Sequence, residues 1–87
     1  MRIIEITIKK ELDKIVSSHV MVINESDCIV DRADFVGLVT VEEINEILDR
    51  NGFGRNSIAD IKFYGFKDDE AIGLIETPDA LKDILTK

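Results

Sequence analysis

The sequence predicts an α+β domain, a mainly antiparallel sheet with helices packed on it, and three observations carry that prediction. Ile4, Ile6 and Ile8 alternate with Glu5, Thr7 and Lys9, the period of two expected of a half-buried strand. Short apolar and β-branched runs flank polar turns at 24–27 and 67–70, which is how hairpins, and therefore antiparallel neighbours, are written. Between Thr40 and Phe53 lies an amphipathic helix with a signal at each end, and its apolar stripe needs a sheet face to cover.

Taken in order, the first strand is the Ile4–Ile8 alternation. Leu12, Ile15 and Val16 then shift to helical spacing and predict a short helix over roughly Lys10 to Ser18. Val20 to Ile23 reads as the second strand, Asn24-Glu25-Ser26-Asp27 as a turn, and Cys28 to Val30 as the third strand. Asp31 to Asp34 reads as another turn, and Phe35 to Val39 as a short strand feeding the next helix.

That helix is the best-specified element. Thr40 and Glu43 form a T-x-x-E capping box, in which a hydroxyl and a carboxylate each satisfy a backbone N–H at the helix start. Val39 and Ile44 sit where a hydrophobic staple fixes the approach of the chain. Ile44, Ile47 and Leu48 make the apolar stripe, while Glu42, Glu43, Glu46 and Asp49 leave the other faces acidic. Asn51-Gly52 offers a left-handed stop, with Phe53 placed to fold back onto Leu48.

Gly54 to Ser57 reads as a loop. Ala59, Ile61 and Phe63 alternate with Asp60, Lys62 and Tyr64 as a further strand, and Ala71 to Glu76 returns as its hairpin partner. Thr77-Pro78 repeats a helix-start signal, and Leu81, Ile84 and Leu85 give a final helix its stripe. The predicted order is β-α-β-β-β-α-β-β-α in a single compact domain spanning residues 1–87.

A hydrophobic fraction of 45% supplies one core without disulfides or metal, and a domain of this size buries about 60–65% of its unfolded surface. Glu5 interrupts what would have to be the apolar centre of a signal peptide, and no run approaches the roughly 18 apolar residues of a membrane span. With the single Cys28 unable to form an internal bridge, a cytoplasmic location is expected.

The net charge of −7 is segregated. Residues 24–49 carry eight acids, Glu25, Asp27, Asp31, Asp34, Glu42, Glu43, Glu46 and Asp49, against one base, Arg32. The rest of the chain holds ten of each and cancels. Such a field repels nucleic-acid phosphates, and it favours a cation or a cationic partner.

Catalytic chemistry finds little support. His19 follows Ser17 and Ser18, but sequence neighbours do not make a triad, whose members are brought together by the fold. Cys28 lies in an apolar run expected to bury it, and Asp27 and Asp31 would raise its pKa. Gly52-Phe53-Gly54 lacks the third glycine of a dinucleotide fingerprint and the Gly-Lys-Ser/Thr of a P-loop, and it follows a helix rather than a strand. Tyr64 and Phe66, with Lys62, have the look of a stacking platform without its basic groove, so they are read as aromatics covered by helices. Phe63 and Phe66 fall on opposite strand faces, so a second helical layer or a partner surface has to cover one of them.

Two functional expectations follow, both non-enzymatic. The more concrete is weak divalent-cation binding, calcium or magnesium, at the turn Asp68-Asp69-Glu70, where a cation relieves the mutual repulsion of three carboxylates. No EF-hand spacing is present, so further ligands have to come from elsewhere at the same end of the sheet. The alternative is an acidic inhibitor or immunity-type protein in which Glu25, Asp27, Asp31 and Asp34 meet the basic surface of a partner protein. Required cofactors, nucleic acid and membrane are absent from both readings, and the oligomeric state is left open.

Overall fold

The alternation that begins in β1 (Arg2–Glu11) continues across a five-stranded sheet. The computed structural model describes residues 2–12, 14–52, 58–67 and 70–75. β2 is Lys14–Ile23, β3 Ile29–Val36, α1 Val41–Arg50, β4 Ile58–Lys67 and β5 Glu70–Ile75. The strand order is β3-β2-β1-β4-β5, so the first strand lies at the centre. Three pairings are antiparallel, and β1 runs parallel to β4. The result is an α+β fold with a mixed sheet.

The register stacks the core in rows. Ala33, Val20, Ile6, Phe63 and Ile75 align across all five strands, and Val22, Ile4 and Ile61 form the next row. Onto this face α1 lays Ile44, Ile47 and Leu48, each buried, and Val39 is buried beside them. Fully burying one such aliphatic side chain contributes about 1.5–3 kcal/mol, so the face holds most of the stabilisation available to a sheet covered by one described helix. No helix among the described residues is long and apolar enough to cross a membrane.

The helix forms as its end signals predict. Thr40 Oγ1 accepts from the Glu43 amide at 3.2 Å, and Glu43 Oε1 accepts from the Thr40 amide at 3.0 Å, closing the capping box. At the other end Asn51 is the cap, and Gly52 follows with φ 70°, a left-handed value that a side chain would resist. The fold of Phe53 onto Leu48 lies outside the described residues.

The predicted element order needs correcting. The helix expected over Lys10 to Ser18 is instead the end of β1, a hairpin turn and the first half of β2, which takes in Val20 to Ile23 as one continuous strand. The reason is a β-bulge: the register shifts between Lys9 and Lys10, leaving Val16 as the extra residue beside Ile15. Leu12, in the turn with φ 50°, and the adjacent pair Ile15 and Val16 thereby imitate helical spacing inside a strand hairpin. The turn expected at Asp31 to Asp34 is the middle of β3, whose charged residues belong to an edge strand exposed along one side. Likewise Phe35 to Val39 is not a separate strand, since β3 ends at Val36 and a loop runs to Thr40. One helix rather than three is present among the described residues, and the one predicted from Thr77 lies outside them. Cys28 is exposed, because it sits in the β2–β3 turn rather than in the apolar run that follows.

Candidate functional site

The acids of residues 24–49 are carried by a contiguous unit, the β2–β3 turn, β3 and α1. In the turn, Asn24 Oδ1 accepts from the amides of Ser26 (2.9 Å) and Cys28 (3.0 Å), and the Asn24 amide donates to the Cys28 carbonyl at 3.0 Å. An Asx-type turn of this kind holds Glu25 and Asp27 outward, both exposed.

Asp31 is engaged within the molecule. Arg50 Nε and an Arg50 terminal nitrogen donate to its two oxygens at 2.6 and 2.9 Å, a bidentate pair. Asn51 Nδ2 adds a bond to Asp31 Oδ2 at 2.6 Å and also donates to the Ile47 carbonyl at 2.7 Å. These donors, led by Arg50 and then Asn51, outweigh partial burial and hold the Asp31 pKa down at about 2. The same contact pushes the Arg50 guanidinium further above its ordinary value.

The cluster also reaches the backbone of its neighbour. The Arg32 amide donates to Asp31 Oδ1 at 2.8 Å, and Arg50 donates to the Arg32 carbonyl at 3.3 Å. In an antiparallel pair, alternate residues turn both backbone groups toward the neighbour strand or away from it. The Arg32 groups are therefore the outward-facing pair at the middle of the β3 edge, and side chains cap them both.

Asp34 lies on the opposite sheet face from the core and hydrogen-bonds His19 Nδ1 on β2. The register carries this row on through Thr7 and Tyr64 to Leu74, and a second row runs Arg32, Met21, Glu5, Lys62. A His–Asp pair orients an imidazole well, but it is catalytic only where a substrate can be held against it.

On α1, Glu43 is committed to the capping box, whereas Glu42, Glu46 and Asp49 are exposed. Their spacing of four and three residues places them along one stripe about 10 Å long at 1.5 Å per residue.

Of the residues expected to face a partner, Glu25 and Asp27 are exposed in a turn. Asp31 is bonded to Arg50 and Asn51, and Asp34 to His19. Asp68 and Asp69 lie outside the described residues, and Glu70 opens β5 opposite Lys67. Among the described residues, no group of three or more His, Cys, Asp or Glu side chains is placed to hold a metal ion. Phe63 is in the core; the side chain of Phe66 lies outside the description.

Sequence reasoning missed Ser18. Its hydroxyl is buried, donates to the Gly37 carbonyl at 2.5 Å and accepts from the Val39 amide at 3.0 Å, tying the loop before α1 to β2. Gly37, with φ 72°, makes the bend that brings its carbonyl there. The signal was present: Ser18 stands two and four residues before Val20 and Val22, on the core side of the alternation. Comparison of the chain with protein-family models, curated proteins and solved structures found no match.

Proposed function

We propose that this chain is a non-enzymatic binding module whose acidic surface engages a basic patch on a partner protein, in the manner of an acidic inhibitor or immunity-type protein. One observation carries the reading. After Asp31, Asp34 and Glu43 are committed to internal contacts, Asp27, Glu42, Glu46 and Asp49 stand exposed on a single turn–strand–helix unit. Arg32 and Arg50 are the two bases of that unit against eight acids, so the field there is net negative. Acids of this kind act chiefly on the rate of encounter and on choice of partner, while affinity comes from apolar contacts beside them.

The test compares the wild-type chain with a triple variant, Glu42→Lys, Glu46→Lys and Asp49→Lys, immobilised against lysate of the source cell. A discrete basic protein retained by the wild type, released by salt and lost to the triple variant supports the reading. Equal retention by both chains, or no basic protein on either, overturns it. With the partner in hand, association of the variant should slow at least tenfold at low salt, and the difference should shrink as salt screens it.

A further inference from the structure

We infer that the Asp31–Arg50 bridge is a gate on the β3 edge, and that opening it lets two copies of the chain pair antiparallel through β3 about Ala33. The inference is independent of the proposed partner binding. An edge strand presents unpaired amides and carbonyls to any strand that can add to it, and among the described residues β3 is the last strand on its side of the sheet. Its central outward groups, those of Arg32, are occupied by Asp31 and Arg50. A second strand has to displace that cluster before it can bond there.

The occupant the gate excludes is specified by the strand itself. A two-fold axis at Ala33 places Arg32 opposite Asp34 of the second copy, and Asp34 opposite its Arg32. Opposite charges then face each other twice, a stabilising cross-strand arrangement. Ala33, whose backbone groups face β2, meets its own copy at the non-hydrogen-bonded position where side chains come closest, and a methyl group fits that spacing. A contact in which residue i meets j and j meets i is what a closed two-fold dimer requires. The same register sets Phe35 against Asp31 of the second copy, so the closed gate opposes pairing a second time, by placing a carboxylate against an aromatic ring.

The experiment is sedimentation velocity over a concentration series, with far-UV circular dichroism to confirm folding. The wild-type chain should sediment as the 9.8 kDa monomer. An Asp31→Ala/Arg50→Ala variant should sediment at twice that mass. Adding Arg32→Asp to the open variant should abolish the dimer by opposing two acids, and adding Asp34→Arg to that should restore it. Where the double variant does not fold, Asp31→Ala alone opens the gate, since it uncaps the Arg32 amide, removes the anchor of Arg50 and takes away the carboxylate that faces Phe35 of the second copy. A folded open variant that stays monomeric overturns the inference, and so does a dimer indifferent to Arg32→Asp. A wild-type dimer that Arg32→Asp disrupts would show the edge unguarded and would overturn the gate.

Discussion

The two ends of α1 are secured by different means. At the start, Thr40 and Glu43 satisfy each other's backbone amides from three residues apart, and both partners belong to the helix and its cap. At the finish, Arg50 and Asn51 reach Asp31 on β3, so the last turn depends on a strand that must already be in place. The first end is set by local sequence and carries over to any context; the second is a tertiary contact made of charge. They therefore differ in what disturbs them: the first end responds to loss of a hydroxyl, the second to displacement of a strand and to loss of the Asp31–Arg50 charge pair.

The largest effect is expected where both ends fail together. Ile44→Ala removes a fully buried side chain through which α1 sits on the sheet, and unfolding should cost about 2–5 kcal/mol less in urea titration. Next comes Ser18→Ala, which leaves the Val39 amide and the Gly37 carbonyl without their partner in the interior. A loss of about 1–3 kcal/mol is expected, and Ser18→Thr, which restores a hydroxyl but adds a methyl, should not fully recover it. Thr40→Ala should cost about 1 kcal/mol and Thr40→Ser much less, with little dependence on salt.

Acid provides the finest test, because it removes the charge on which the far end depends. Asp31 has its pKa lowered from 3.8 to about 2 in the folded chain, so the unfolded state binds its proton first. Its contribution is present above the ordinary carboxylate value and is lost as pH falls from about 4 to about 2. The Arg50 side chain is 52% exposed, so solvent screens the pair and the effect should be smaller than any of the substitutions above. An Asp31→Asn chain should show a flatter stability profile over that window, whereas Thr40→Ala should lower the profile without changing its shape. The acidic turn at 68–70 is addressed by an amide NMR titration with calcium at fixed ionic strength. Saturable shifts centred on residues 67–71 support a cation site, and shifts that monovalent salt reproduces dismiss it.

The same contrast explains what was legible in the sequence. The capping box, the buried stripe and the Gly52 stop were all readable from residues within one helix, because their physics is local. β1 and β4 were readable from alternation, since one face of each is buried. β2 was misread because a bulge at Val16 interrupts its period, and β3 because an edge strand tolerates the charges of Asp31, Arg32 and Asp34 that elsewhere signal a turn. Asp31 with Arg50 and His19 with Asp34 meet only once β2, β3 and α1 are assembled, so no spacing along the chain announces them. For the proposed binding surface, the sequence supplied the charge and the fold decided which acids are left to use it.

The parallel seam between β1 and β4 has a consequence for how the chain reaches this state. Ile3 stands beside Asp60, so the strand made first waits with one side open until the fourth arrives. Pairings this distant in sequence are slow, because the intervening segment must be ordered before contact rewards it. A meander of β1, β2 and β3 can assemble early from neighbours, with α1 docking over it. On that route β1 keeps one edge of unpaired backbone amides and carbonyls until β4 pairs with it.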